Sequence, residues 1–300
     1  MKNIESKAAT KLNRPRLLIL GCGDVGMRLL PLVRDRFRIF AVTSQPSRCA
    51  ELRIAGAVPL IADLDQPATL ARLARLAPTI VHLAPPQPDG LMDRRTRHLT
   101  AILPDQATLV YVSTTGVYGD CGGAWADETR TVNPQNARAR RRVDAEKVLR
   151  TWARRSGSRL AILRVPGIYA ANRLPVERLQ KGTPALLPED DVYTNHIHAD
   201  DLARIIALSI FRGQPGRIYH AVDDSVLKMA DYFDMVADAF RLPRAPRLTR
   251  DALAKEVSPV LLSFMSESRR LANRRIKQEL GVRLRYATVQ QALQGMAIPT

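Results

Sequence analysis

Leu17-Leu18-Ile19-Leu20-Gly21-Cys22-Gly23-Asp24-Val25-Gly26 is the stretch whose reading decides the fold. Four apolar residues run straight into G-x-G-x-x-G, and a helix-like segment follows. A short, wholly apolar run suits a strand covered on both faces. In such a strand–turn–helix unit Gly21 permits the tight turn, and Gly23 lets backbone approach phosphate oxygens. Gly26 lets the helix pack close to the strand. Free N–H groups and the positive dipole end at the helix N-terminus then favour an anion. The spacing predicts a cradle for a dinucleotide pyrophosphate made by Gly21, Gly23, Asp24, Val25 and Gly26. The bland alternative is a glycine turn with no ligand.

Outward from this unit, strand and helix signals alternate. Strands are expected over 38–43, 58–61, 79–83, 109–113, 160–165 and 217–222. Helices are expected over 24–36, bent at Pro31, and over 47–55, 67–76, 94–102 and 136–156. That alternation argues for βαβ units and a parallel sheet. After Pro166-Gly167 the pattern changes to a loop-rich stretch, 170–195. Further helices are expected over 200–211, capped by Asp200, and over 230–240 and 266–280. The expected class is α/β, a Rossmann-like doubly wound parallel sheet with a small carboxyl-terminal substrate lobe. In domain terms, 1–14 reads as a disordered basic tail and 15–169, continued by 196–225, as an NAD(P)-binding Rossmann domain. Residues 170–195 and 226–300 read as the substrate-binding lobe.

Composition narrows the partners. No apolar run approaches the ~18 residues of a membrane span. The polar N-terminus lacks the apolar core of a signal peptide, which points to the cytoplasm. Cys22, Cys49 and Cys121 are odd in number and widely spaced, so neither a disulfide framework nor a metal site is expected. The net charge of +17 raises the question of nucleic acid. Yet the basic residues are dispersed, arginines far outnumber lysines, and aromatics make up only 5% of the chain. Base-stacking platforms need more of them. A small, anionic substrate suits the charge as well; a nucleic-acid or membrane partner is not expected, and a homodimer is an open option.

Several segments taken in order resemble the extended and atypical short-chain dehydrogenase/reductases, the nucleotide-sugar epimerase and dehydratase superfamily. They are the glycine turn, Ala62-Asp63-Leu64, Val112-Ser113-Thr114-Thr115-Gly116-Val117-Tyr118-Gly119-Asp120 and Leu163-Arg164-Val165-Pro166-Gly167-Ile168-Tyr169. Asn195-His196-Ile197-His198-Ala199-Asp200-Asp201-Leu202-Ala203 and a terminal helix over 268–281 complete the series. The resemblance implies that Asp63, with Leu64, receives the adenine. It implies that Ala84 and Pro85 form a wall past the cofactor, and that Pro166 and Gly167 face the nicotinamide. At the end of the second strand an NAD enzyme would place an acid for the ribose hydroxyls. Thr43, Ser44 and Arg48 stand there instead, and hydroxyls with a guanidinium suit a 2′-phosphate. The expected cofactor is therefore NADP rather than NAD.

The family reaction uses a tyrosine as general acid/base with a lysine four residues on. None of the seven tyrosines has that lysine. Counting back from Glu146, the two slots hold Arg138 and Arg142. A guanidinium does not release a proton near neutrality, so it cannot replace the tyrosine. Thr114 takes the place that positions a substrate oxygen, unless it only satisfies its own backbone. Tyr118 and His196 are candidates for moving the proton; His196 beside a helix start also has a structural reading. Arg138 and Arg142, on one helix face, would hold an anion, with Arg173 contributing, or else form a solvated surface. Two functions follow. One is an NAD(P)-dependent oxidoreductase or epimerase-like enzyme with a nonstandard proton donor. The other is a non-catalytic NADP(H)-binding sensor.

Overall fold

The computed structural model describes residues 14–296; of the expected tail over 1–14, all but Arg14 lies outside them. β1 (Arg16–Leu20) leads through α1 (Asp24–Val33) to β2 (Arg38–Thr43), then α2 (Cys49–Ile54), β3 (Val58–Ile61) and β4 (Thr79–His82). α3 (Arg94–Thr100), β5 (Thr108–Thr114), the short β6 (Trp125–Ala126), α4 (Ala137–Ser156) and β7 (Arg159–Val165) follow. Beyond Pro166 come β8 (Gly167–Tyr169), α5 (Val176–Gln180), β9 (Ala185–Leu186), β10 (Tyr193–Thr194) and β11 (His196–His198). α6 (Ala199–Arg212) and β12 (Arg217–His220) return the chain to the main sheet. β13 (Leu227–Lys228), α7 (Met229–Ala239), β14 (Arg247–Leu248) and α8 (Arg250–Glu256) come next. α9 (Pro259–Phe264), β15 (Arg270–Leu271), α10 (Arg274–Gln278) and α11 (Val289–Gln294) end the described chain.

Seven strands form one sheet in the order β12-β7-β5-β4-β1-β2-β3. Every pairing is parallel; Leu17, for example, stands beside both Ile39 and Thr79. Alternate side chains of β1 enter two different cores, as strand geometry requires. Leu17 and Ile19 pack with Leu29, Leu30, Ile205 and Ile206. Leu18 and Leu20 pack with Ile80, Tyr111, Leu149 and Trp152. Each such side chain contributes about 1.5–3 kcal/mol over leaving it in water. Strand order reverses between β1 and β4, and their carboxyl ends open the crevice where ligands sit in doubly wound sheets.

A third core around Tyr169, Leu179, Phe233, Val236, Leu253 and Val289 holds the carboxyl-terminal lobe together. α4 is capped by the Asn136 side chain, which accepts from Ala139 N at 2.9 Å, and ends at left-handed Gly157. It buries one polar pair beside its apolar face. Arg164 donates to both carboxylate oxygens of Glu146 at 3.1 and 2.7 Å, and Ser113 Oγ adds a bond at 2.7 Å.

Three expected helices differ. The segment over 67–76 is a 3-10 helix, Pro67–Leu73, ended by left-handed Arg75, whose N–H goes to Ile102 O. Over 266–280 only α10 is helical. Ser268 N is taken by Asp120 Oδ1 at 2.7 Å, and Ser268 O accepts from Cys121 and Gly123. With its backbone committed to these distant partners, the chain runs extended and β15 pairs with β6. α6 is capped by His198, whose Nδ1 accepts from Asp200 N at 3.2 Å. Asp200 instead binds Arg28 Nη1 at 2.5 Å. Asp201 accepts from Arg285 N and Tyr286 N, tying the last segment to α6.

Candidate active site

Two grooves open at the carboxyl edge of the sheet. The first is built on the glycine turn. Gly21 has φ of +81°, and a Cβ there would lie 2.6 Å from Ala84 N. Conformation and space both demand glycine. At Gly26 a Cβ would meet Cys22 Sγ at 2.9 Å. Gly23 differs, because a Cβ there would touch nothing within 4 Å. Room is therefore kept above the N-terminus of α1, which no side chain caps. Unsatisfied N–H groups facing open space fit a diphosphate.

From this turn the groove, about 290 Å³, runs along Thr43 and Ser44 to Asp63 and Leu64, with Ala84 and Pro85 opposite. Arg48 is braced across it: Nη1 donates to Cys22 O at 2.6 Å and Nε to Glu51 at 3.0 Å. Thr43 Oγ1 accepts from Gln45 N at 3.1 Å. Asp63 Oδ1 accepts from Asp65 N at 2.9 Å. Arg95 adds a guanidinium that the sequence reading missed, held at the wall by Asp65 at 2.5 Å. Asp24 and Val25 stand behind the groove. Asp24 pairs with Arg28 at 3.2 Å and with Arg173 at 3.3 Å, while Val25 packs on the core. Only their main chain, at the helix N-terminus, is left to meet a ligand.

The second groove is a cleft of about 510 Å³ between the sheet edge and the lobe. Thr114, Pro166, Gly167, Arg138, Arg173 and His196 all line it. Thr114 Oγ1 accepts from Gly116 N at 3.2 Å, so its own proton is free to be donated. His196 is buried between the edge of Tyr169, 6.2 Å away, and the ring of Tyr232 at 4.2 Å. Burial pushes its pKa down to about 3, so the ring is neutral at pH 7.

The cleft is positively charged. Arg138, Arg173, Arg178 and Arg269 line it against a single carboxylate, Glu267. Aromatic rings hold two of them: Arg138 lies 4.2 Å over Phe264, and Arg178 lies 4.2 Å over Phe233. Burial draws the Arg138 guanidinium below its usual value and pushes Arg178 down to about 10. Desolvated guanidinium groups stacked on rings, with spare donors, suit an anion.

Two expected site residues fall elsewhere. Tyr118 is 1% exposed, and its hydroxyl is held by Arg164 at 2.7 Å and His220 at 2.6 Å. Burial pushes its pKa up to about 12. The 3-10 turn Thr115–Tyr118 rotates it into the core, away from the cleft. Arg142 donates to the Tyr111 hydroxyl and to Val112 O, each at 3.0 Å, and does not join Arg138 in an anion site. One turn deeper along α4, it lies against the end of β5 instead of the cleft. Arg178, Arg269, Glu267 and the aromatic walls were not singled out from the sequence. The one local signal, Pro and Gly crowding over 170–195, marks a loop but not which charges it presents.

Among the described residues no group of three His, Cys, Asp or Glu could hold a metal ion, and no helix is long and apolar enough to cross a membrane. Several solved structures share the architecture. A functionally unknown conserved protein from Silicibacter pomeroyi is 30% identical, with 93% of this chain and 97% of that one covered and a TM-score of 0.76. UDP-glucose 4-epimerase from Thermotoga maritima, solved with UDP-glucose, is 15% identical over 93% and 96% of the two chains, with a TM-score of 0.74. A double mutant of dTDP-glucose 4,6-dehydratase from Streptomyces venezuelae, with NAD and a second ligand bound, is 20% identical over 93% and 96%, with a TM-score of 0.73. These last two share the fold. No curated protein matches the chain. The family model that matches covers residues 17–221, from the first strand to just past the last strand of the sheet, and the chain belongs to the NAD dependent epimerase/dehydratase family.

Proposed function

We propose that this protein is an NAD(P)-dependent oxidoreductase or nucleotide-sugar epimerase/dehydratase-like enzyme with a nonstandard active site, using NADP in preference to NAD. The observation that carries this is the uncapped N-terminus of α1 beneath the open room at Gly23. Gly21, Gly23 and that terminus would hold the pyrophosphate. Asp63 and Leu64 would receive the adenine, and Thr43, Ser44 and Arg48 a 2′-phosphate. Ala84 and Pro85 would flank the chain of the cofactor, with Pro166 and Gly167 beside its nicotinamide. When bound, the cofactor supplies or accepts a hydride.

The chain's own residues set the rest. Thr114 donates its hydroxyl proton to a substrate oxygen as a positioning bond. Arg138 stabilises negative charge on a substrate but transfers no proton. His196, neutral at pH 7, serves as a hydrogen-bonding wall, since a ring with a pKa of about 3 keeps one N–H and one bare nitrogen there and takes up no second proton. The arginines select a small, anionic substrate.

Fluorescence titration of the purified protein with NADPH and NADH tests the reading. Micromolar or tighter NADPH binding is expected, with NADH weaker. Arg48→Ala should narrow the gap about tenfold, the worth of one charge-assisted contact. No binding of either nucleotide overturns the proposal.

One observation favours the sensor reading. Arg142, in the lysine slot, is locked onto Tyr111 and Val112, so no lysine-like group reaches the cleft there. Tight NADPH binding with no oxidation across a panel of anionic carbonyl compounds would select it.

A further inference from the structure

Three buried side chains meet on the lobe side of the cleft. Tyr169 is on β8, His196 on β11, and Asp223 follows β12 with its N–H donating to His196 O at 2.8 Å. They are 1%, 5% and 4% exposed. His196 Nδ1 is sealed with no hydrogen-bond partner among the described residues; the Tyr169 hydroxyl and Asp223 Oδ2 are sealed too and meet no partner at ordinary hydrogen-bond geometry, though the phenol lies near enough to favour the carboxylate. Orphaned buried groups are costly, and three on one wall call for a use.

Asp223 also borders a separate groove of about 350 Å³, with Trp125, Asp224, Ser225 and Asn273. The tyrosines that feel its charge, Tyr169 from β8 and Tyr232 from α7, line the cleft. Asp223 thus borders the back groove and reaches the cleft through Tyr169 and Tyr232. Its Oδ1 accepts from Ser225 N at 2.9 Å. Asp224, beside it, is bound by Asn273 at 2.7 Å and Lys277 at 2.5 Å. Among the described residues no cation pairs with Asp223. Burial, opposed by the Ser225 and Tyr169 contacts and aided by Asp224, pushes its pKa up to about 7.

We propose that Asp223 is a proton store for the cleft, taking up a proton from the back groove when an anion binds among the cleft arginines. The inference rests on reading the cleft as an anion site. A neutral Asp223 places an O–H beside the Tyr169 hydroxyl, an exchangeable proton of the kind Arg138 cannot provide. The step is a single transfer: Asp223 Oδ2 gains a proton, solvent loses one, and no group is oxidised or reduced. Anionic charge held in the cleft disfavours the Asp223 carboxylate and raises its protonated fraction. Asp223 then gains a fraction of a proton for each anion bound.

Sulfate is the probe, because it does not titrate near neutrality. Calorimetry of the full chain with sulfate at pH 7, in two buffers of different ionisation enthalpy, counts the protons. Wild type should bind sulfate with uptake of a fraction of a proton, fading at pH 5, where Asp223 is already protonated. Asp223→Asn should bind it without uptake, and Asp223→Glu should restore uptake. Arg138→Gln with Arg178→Gln should lose the binding. Sulfate binding with no uptake in wild type, or uptake unchanged in Asp223→Asn, overturns the proposal and leaves the anion cleft standing. Sulfate that fails to bind, or binds the double arginine variant equally, removes the anion cleft and this inference with it. NADPH titration of the same samples reports separately on the glycine-turn groove.

Discussion

The glycine-turn groove and the arginine-lined cleft share one edge of one sheet and are built by opposite means. The first is shaped by missing atoms. Gly21 must pass Ala84 at a distance no Cβ allows, and Gly23 keeps a space empty. The second is shaped by large charged side chains stacked on rings, drawn from residues as far apart as Arg138 and Arg269. A groove made by absence tolerates little change at its turn. A cleft made by stacked charges changes its ligand one side chain at a time while its floor persists. In this chain the glycine turn keeps its open room, while Arg138 lines the cleft and Arg142, one turn on, turns to Tyr111.

The largest expected effect tests the buried ion pair between α4 and β7. Glu146→Ala strands the Arg164 guanidinium, whose side chain is 4% exposed, beneath β5 and α4. Loss of one partner of such a buried pair costs about 3–5 kcal/mol. Urea unfolding should show it, and an effect below about 1 kcal/mol would make the pair dispensable. Gly21→Val comes next. A side chain at positive φ against Ala84 should destabilise by roughly 2–4 kcal/mol and abolish NADPH binding. Retention of both would break the account of the turn as sterically fixed.

A third test is acid. Burial lowers His82, His196 and His220 to about 3, so each is neutral in the folded chain and charges more readily when unfolded. A depressed histidine gives stability above its unfolded pKa of about 6.5 that drains away as pH falls toward 3. Asp223, raised to about 7, works in the opposite sense between about pH 4 and 7. Burial raises Glu128 and Asp191 in the same sense as Asp223, but His198 is lowered too and arginine partners hold Asp65 and Asp144 down, so unfolding free energy should fall on acidification below about pH 6.5. A curve that rises there would show that burial does not hold these rings neutral. The smallest effect sharpens the contrast most. Gly23→Ala meets nothing, so stability should move by less than about 1 kcal/mol while NADPH affinity drops several-fold. Loss of stability without loss of affinity would make Gly23 structural.

How much was legible follows the same division. The strand, the turn and the helix are local, so Gly21, Gly23 and Gly26 could be read from ten residues. Alternating apolar runs placed all seven strands of the sheet. Thr114, Pro166 and His196 flank strand ends, and strand ends converge on the cleft; Arg138 was singled out only by counting back from Glu146. Tyr118 was misplaced because its direction depends on a 3-10 turn and on Arg164, far along the chain. Arg142 was misplaced because the i,i+4 rule fixes a helix face but not how deep along the neighbouring sheet each turn lies. The segment over 266–280 has a helical pattern that Asp120, Gly123 and Asn195 override through its backbone. Arg95, Arg178 and Arg269 look like any other arginine in a chain so rich in them. Only folding decides which are desolvated.

One topological detail has a bearing on biosynthesis. β7 ends at Val165, yet its outer neighbour β12 begins only at Arg217. A ribosome releasing this chain exposes the naked flank of β7 until the whole intervening stretch has emerged. For that interval the nascent polypeptide carries an unpaired, apolar edge of the kind other chains can join. Slow translation between those two points lengthens that exposure.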